Sequence, residues 1–262
     1  MDKKIFGINY FLRSDDGVAE VVDFVTTIGI LMISFSVIAL GGYPVLKSAQ
    51  ETRYIENTRL TFVILAENMN KIALGQAPSK SIELKMYGGQ LSTTGDSTIV
   101  INATTYNSSS PTKYDNLTFS KDMRSIENTV GTTVVAYEDT GVWIKYTDTV
   151  VLNPYKPIII NQSGRIIIPI VTVIGNSSVS GTGMSRIRAE GEPETTFWNN
   201  ASNITVKING NYAQGWKGYF ENTNEMDWMI MDNTSTTLSA KLNSTQNLDV
   251  YIMHTNLYTD IE

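Results

Sequence analysis

The chain has 262 residues, no cysteine, one histidine and a formal net charge of −6, with a pI of about 4.9. Without cysteine it forms neither disulfides nor thiolate sites, and a single histidine provides neither a zinc ligand set nor a Ser-His-Asp triad. Its acidic balance supplies no basic field for phosphate groups, so we expect no nucleic-acid partner.

An uncharged apolar run covers residues 24–46, behind a short polar string at residues 13–17. As a helix the run would measure roughly 34 Å, enough for a hydrocarbon core of about 30 Å. It is longer than the apolar part of an ordinary secretory signal, which has about 7–15 residues. Three interpretations remain: a cleaved secretory signal, a plain transmembrane anchor, and a helix that stays on the mature protein after a cut in front of it.

The third interpretation rests on the residues that flank the run. Two lysines and an arginine precede it, and Gly17 is a small residue directly before Val18. This arrangement resembles the class III signal peptide of type IV pilin-like proteins, with Asp16 standing where the archaeal pattern favours a basic residue. The resemblance implies a leader at 1–17, cleavage between Gly17 and Val18 by a prepilin peptidase, and a transmembrane or filament helix at 18–46.

Two acids, Glu20 and Asp23, lie at the head of this predicted helix. An unpaired charge is costly in lipid or in a filament core, so their position needs a physical reason. In one interpretation they stay at the membrane interface and favour the positive end of the helix dipole. In the other, one of them pairs with the freed amino group of a neighbouring subunit and sets the axial register.

Residues 48–74 change to the pattern of an amphipathic helix, with apolar residues at steps of three and four. We therefore predict a stem helix at 47–75 that ends at Gly75. Gly41, Gly42 and Pro44 predict a kink where the apolar and the amphipathic segments meet.

The remaining residues, 76–262, alternate apolar and polar positions in short runs separated by turn residues. The predicted fold class is α+β: a long N-terminal membrane and stem helix, then an antiparallel β-sandwich or partly closed β-barrel ectodomain. We also predict a hairpin turn at Gly88-Gly89 and a long loop at 176–194. The predicted strands lie at 82–86, 98–103, 117–120, 132–137, 142–146, 165–174, 204–208 and 248–253.

Nine Asn-X-Ser/Thr sequons follow the apolar run, which predicts glycosylation and an extracellular C-terminal domain. Lysine and arginine residues are nearly balanced on the two sides of the run and do not decide its orientation. The candidate asparagines are Asn102, Asn107, Asn116, Asn161, Asn176, Asn200, Asn203, Asn233 and Asn243.

A second resemblance rests on short motifs spread from about residue 16 to residue 220. They include ELKMYGG at 83–89, VAYE at 135–138, GVW at 141–143, PIV at 169–171 and NITV at 203–206. With these motifs the chain resembles an uncharacterised family of archaeal surface proteins with pilin-like N-termini, found in halophilic and methanogenic archaea. The resemblance implies a cell-surface location and a type IV pilin-like class, and it implies no activity.

No motif for catalysis, cofactor binding or metal binding is found, so we predict neither an enzyme nor a cofactor. His254 is predicted to be an ordinary strand residue. The neighbouring acids Glu138 and Asp139, and Glu225 and Asp227, are predicted at turn or rim positions rather than as hydrolytic pairs. An aromatic cluster is predicted to pack a short helix on the sheet, with sugar binding as the alternative: Phe197, Trp198, Tyr212, Trp216, Tyr219, Phe220 and Trp228.

The expected function is structural. The chain inserts into the lipid bilayer through its N-terminal helix as a single-pass protein and assembles into, or initiates, a surface filament with other pilin-like subunits. The alternative is a monomeric membrane-anchored module for binding or adhesion at the cell surface.

Overall fold

The computed structural model describes residues 14–106, 114–146, 150–223 and 226–262. Residues 1–13 of the predicted leader lie outside this part. The described chain consists of one long helix, one short helix and fourteen strands. They are α1 (Ser14–Ala73), β1 (Ser79–Thr94), β2 (Thr98–Tyr106), β3 (Tyr114–Asp122), β4 (Ser125–Val130), β5 (Thr133–Glu138), β6 (Gly141–Tyr146), β7 (Val150–Tyr155), β8 (Ile160–Gln162), β9 (Arg165–Ile174), β10 (Ser178–Glu190), β11 (Pro193–Asn209), α2 (Ala213–Glu221), β12 (Trp228–Asn233), β13 (Thr237–Leu242) and β14 (Leu248–Ile261).

The layout is therefore α+β, with a long N-terminal helix and a large, mainly antiparallel β domain. The chain divides into two compact units between Thr52 and Arg53. The first unit contains the apolar part of α1, and the second contains the last turns of α1 with all the strands. The domain limits derived from the sequence, at residues 17, 46 and 75, stay predictions.

The helix α1 runs through Pro44 and joins the two helical segments that were predicted separately. It ends as the sequence indicated, because Gly75 has a left-handed backbone with φ of +69°. The N–H of Gln76 donates to the carbonyl of Lys71 at 2.7 Å, and the N–H of Gly75 donates to that of Ile72 at 2.9 Å. These two bonds form a Schellman cap, which satisfies carbonyl groups that the helix leaves unpaired.

The strands form two connected parts, which share β11. The large sheet contains β1, β4–β10 and β14 with the first half of β11, and the small sheet has the order β12-β13-β11-β2-β3. The register of β11 shifts near Ala201, where its pairing changes from β14 to β2. All strand pairs are antiparallel except β9 and β14, which run parallel.

Two hydrophobic clusters lie on opposite faces of the large sheet. On one face, Phe62, Leu65 and Met69 of α1 pack against strands that include β5 and β6. On the other face, Trp143 of β6 packs with α2 and with the inward side chains of the small sheet. Strands β5 and β6 contribute side chains to both clusters, because neighbouring side chains of a strand point to opposite faces.

Two sequence predictions are wrong in the β domain. Gly88-Gly89 is not a hairpin turn, because β1 continues through both residues with a bulge between Tyr87 and Gly89. The predicted loop at 176–194 contains β10, which pairs with β1 along most of its length. Glycine inside a strand marks a bulge or a close backbone approach as readily as a turn, and its neighbouring strands decide which.

The close approach at Gly89 leads to a testable prediction. A Cβ atom at Gly89 would lie 1.8 Å from the carbonyl oxygen of Thr129 on β4, so any side chain forces the two strands apart. We expect Gly89→Ala to lower the free energy of unfolding by at least about 2 kcal/mol in a denaturant titration. Gly218→Ala in α2 is the control, because its Cβ would meet no atom within 4 Å. Equal stability of the two variants would contradict the prediction.

Candidate functional site: the apolar N-terminal helix

The side chains of the apolar part of α1 are exposed within the first unit. The large hydrophobic side chains between Val18 and Leu46 are 39–81% exposed. The described chain has one helix that is long and apolar enough to cross a membrane, within Val18–Ala73, and its most apolar window has a mean hydropathy of 2.2. A continuous apolar surface of this size is unfavourable in water, so it requires an apolar environment.

The hydroxyl groups in this segment are already satisfied within the helix. Thr26, Thr27, Ser34 and Ser36 each donate a hydrogen bond to the backbone carbonyl four residues earlier, at 2.7–2.8 Å. They are all the serines and threonines between residues 18 and 46. Such back-bonding removes the cost of placing a hydroxyl group where water is absent.

The predicted processing junction lies inside α1, because both Gly17 and Val18 have helical backbone. Glu20 and Asp23 follow within two turns and are exposed. Neither carboxylate takes part in the ion pairs found in the described part of the chain. Both acids are thus available to a partner outside this chain.

The structure describes eight of the nine sequon asparagines, since Asn107 lies outside the described residues. Seven of the eight are exposed: Asn116, Asn161, Asn176, Asn200, Asn203, Asn233 and Asn243. Asn102 is only partly exposed, and its side-chain oxygen accepts a hydrogen bond from Thr118 at 2.9 Å.

Glu138 and Asp139 form the turn between β5 and β6, as the sequence indicated, but they do not lie at a solvent-exposed rim. They are 0% and 2% exposed. The turn is held from three sides: Asp139 Oδ1 accepts from the N–H of Val171 at 2.8 Å, Thr140 O accepts from Asn70 Nδ2 at 2.9 Å, and Thr140 Oγ1 accepts from the N–H of Ile158 at 3.0 Å. The β5–β6 turn therefore links α1 to β9 in the interior.

The electrostatics of this turn are dominated by burial. Burial raises the pKa of Glu138 to about 8, nearby Ser97 lowers it in part, and the charges of Asp139 and Glu127 raise it. Neither oxygen of Glu138 has a partner at hydrogen-bonding geometry in the described chain. Burial likewise raises the pKa of Asp139 to about 7, although the hydrogen bond from the N–H of Val171 lowers it in part. Both side chains therefore stay protonated over much of the range below neutral pH.

The other acid pair does not form a site either. Glu225 lies outside the described residues, and Asp227 Oδ2 accepts a hydrogen bond from Asn243 Nδ2 at 2.7 Å. Nowhere in residues 14–106, 114–146, 150–223 and 226–262 do three His, Asp or Glu side chains converge as metal ligands.

His254 is a strand residue, as predicted, and lies on β14 with 5% exposure. Its Nε2 lies 3.0 Å from Thr172 Oγ1. Burial lowers its pKa, the charge of Lys121 lowers it further, and Glu194 raises it in part. The ring is thus neutral near pH 7 and contributes to packing.

The aromatic cluster packs α2 in the core, as predicted. Trp216 lies 5.2 Å from Trp143, and Phe220 lies 4.7 Å from Trp228, measured between ring centres. Phe197 is the exception, since it is 49% exposed and contacts Tyr251 on the neighbouring strand at 4.8 Å.

The fold and the site define a class: an α+β protein whose N-terminal helix has the length and composition of a membrane span. Within that class, the chain belongs to the family of unknown function DUF7289, whose model matches residues 17–258. No curated protein and no solved structure matches the chain.

Proposed function

We propose that the protein is a pilin-like structural component of an archaeal cell surface, held in the membrane by α1 and assembled into, or initiating, a surface filament. The observation that carries this proposal is the uninterrupted exposure of apolar side chains between Val18 and Leu46. The family model, at residues 17–258, includes this helix as well as the β domain.

The assembly step depends on the surface of α1. After insertion and cleavage behind Gly17, the apolar segment packs against equivalent helices of other subunits. Gly29 and Gly41 support close packing, because nothing lies within 4 Å of their Cβ positions. Glu20 or Asp23 then pairs with the new amino group of a neighbouring Val18, which offsets the cost of burying either charge.

The β domain is proposed to lie outside the cell, in a single-pass arrangement. Its support is the exposure of seven sequon asparagines, all C-terminal to the apolar segment. We also propose that the large and small sheets pack as a β-sandwich rather than as a partly closed barrel. The cluster that contains Trp143, Ile101 and Val206 joins side chains of both sheets, which is typical of sandwich packing.

The test is the N-terminal residue of the protein isolated from native membranes. A chain that begins at Val18 supports the pilin mechanism, and a chain that retains its leader contradicts it. The control is Gly17→Leu, since a peptidase that requires a small residue before the cut is expected to leave this variant uncleaved.

The second candidate is a monomeric membrane-anchored module for binding or adhesion. The exposed ring of Phe197, which contacts the partly buried Tyr251, favours it, because exposed aromatic rings stack on sugars. Electron microscopy after detergent removal distinguishes the two functions: regular filaments support the first, whereas irregular aggregates or monomers with an intact leader support the binding module.

A further inference from the structure

The sequons are concentrated on the small sheet. Asn102 lies on β2, Asn116 on β3, Asn200 and Asn203 on β11, and Asn233 at the end of β12. Two others belong to connections of the same strands, since Asn107 falls between β2 and β3 and Asn243 directly follows β13. In the larger sheet, Asn161 lies on β8 and Asn200 on the first half of β11, and Asn176 lies between β9 and β10.

The Asn102 and Asn116 sequons lie opposite each other on the antiparallel strands β2 and β3. Asn102 lies opposite Thr118, the third residue of the Asn116 sequon, and Asn116 lies opposite Thr104, the third residue of the Asn102 sequon. In addition, Thr205 of the Asn203 sequon lies opposite Asn102. The acceptor residues therefore share one face of three neighbouring strands.

This face points away from the core. Along β2 and β3 the alternate residues Ile101, Ala103, Leu117 and Phe119 face the cluster between the two sheets. Asn116 therefore faces the other side of β3, because successive side chains of a strand alternate. It is exposed. We call the side that holds Asn102, Thr104, Asn116 and Thr118 the outer face of the small sheet.

The two paired sequons differ in accessibility. Asn116 and Thr118 are both exposed. Asn102 and Thr104 are partly buried, and Thr104 Oγ1 lies 2.9 Å from Ser202 Oγ and accepts from Asn203 Nδ2 at 3.2 Å. A transferase has to reach the amide nitrogen and the hydroxyl residue together. Thr118 Oγ1 donates to Asn102 Oδ1 at 2.9 Å, but Thr118 and Asn116 stay exposed, so the Asn116 sequon is the more accessible of the two.

We propose that the outer face of the small sheet is a glycan-bearing surface, with an N-linked oligosaccharide on Asn116 and none on the neighbouring Asn102. The proposal rests on the exterior location proposed above for the β domain. The donor is a polyisoprenyl-phosphate-linked oligosaccharide. The bond between its sugar C1 and the phosphate oxygen breaks, a bond from C1 to Asn116 Nδ2 forms, the amide loses one proton, and the lipid phosphate leaves.

A glycan at this position has a physical consequence for association. Among the described strands β3 pairs with β2 alone, so β3 forms an edge of the small sheet. Exposed edges invite strand pairing with other chains, and a bulky hydrophilic group beside the edge opposes it. Subunit contacts are thereby directed away from the small sheet.

The test is a peptide map of the full-length protein from the native membranes, with wild type compared to Asn116→Gln and Asn102→Gln. We expect the peptide with Asn116 to carry a sugar mass, and Asn116→Gln to lose one glycan from the intact mass. Asn102→Gln is the matched control and keeps the wild-type glycan mass. An unmodified Asn116 peptide in the wild type, or a glycan lost in Asn102→Gln, would overturn the proposal.

The wild-type map decides the question even where a variant fails to accumulate. Its outcome is also separable from that of the proposed function. A sugar on Asn116 together with an intact leader retains this inference and removes the filament mechanism. A chain that begins at Val18 but carries no sugar on Asn116 retains the filament mechanism and removes this inference.

Discussion

The free energy of unfolding is expected to fall as the pH rises from 5 to 8, and Glu138→Gln is expected to remove much of that fall. The pKa of Glu138 is raised to about 8 in the folded protein from an ordinary value of 4.5, and that of Asp139 to about 7 from 3.8. The folded state therefore retains protons that the unfolded state releases. Their contribution to stability is complete below the unfolded pKa values and is lost as the pH passes the folded ones.

The expected size follows from the same linkage. One unit of pKa shift corresponds to about 1.4 kcal/mol, so Glu138 alone should change the stability by about 3 kcal/mol across this range. Glutamine has nearly the same shape and no proton to lose, so the variant should be the more stable protein at pH 9.

The measurement is denaturant unfolding of the detergent-solubilised full chain at pH 5 to 9, followed by tryptophan fluorescence. The control is Glu67→Gln, because Glu67 is exposed on α1 and is solvated in both states. Parallel curves for wild type and Glu138→Gln would contradict the prediction, as would a wild-type stability that does not change with pH.

The second large effect is expected from a charge in the apolar segment. Ile33 lies near the centre of the run at residues 24–46 and is 67% exposed. A lysine near the centre of a membrane helix costs about 2.5–3.5 kcal/mol on insertion scales. We therefore expect Ile33→Lys to lower the equilibrium constant for membrane insertion by about 100-fold and so to lower the membrane-bound fraction of the protein.

The measurement is the fraction of protein that stays with membranes after alkaline carbonate extraction. Leu60→Lys is a matched control, because Leu60 is also an exposed aliphatic residue of α1 but lies outside the apolar run. Full retention of Ile33→Lys, or equal loss of both variants, would contradict a membrane-spanning role for the segment.

The helices were largely predictable because their signals are local. An apolar composition over residues 24–46 and the Gly75 stop do not depend on distant partners, and α1 ends two residues before Gly75. The sequence predicted one long helix with a kink at Gly41, Gly42 and Pro44, and α1 continues through Pro44. A proline removes one hydrogen bond, and only its surroundings decide whether the helix breaks.

Strand existence was predictable where polar and apolar residues alternate, and β9 has the predicted limits. Strand β10 was missed because its glycines and serines are typical of a loop. Its pairing with β1, in which Gly183 lies opposite Met86, makes it a strand. Pairing partners far apart in the chain leave no trace in local composition.

For the candidate site too, some features could be predicted from the sequence and others could not. The sequence located the apolar segment, its acids Glu20 and Asp23, and the nine sequons, because each is recognised from neighbouring residues alone. It gave no signal that Glu138 and Asp139 are buried, since the pattern of a turn is the same at the surface and in the interior.

By itself, the sequence determined that this protein has an apolar helix of membrane length, an α+β layout and candidate glycan acceptors. Only the tertiary structure decided which sequon asparagines are exposed, which carboxyl groups are buried, and which face of the small sheet points away from the core. The physical reason is that solvation depends on what packs around a residue. In this domain, β11 joins two sheets whose partners come from distant parts of the chain.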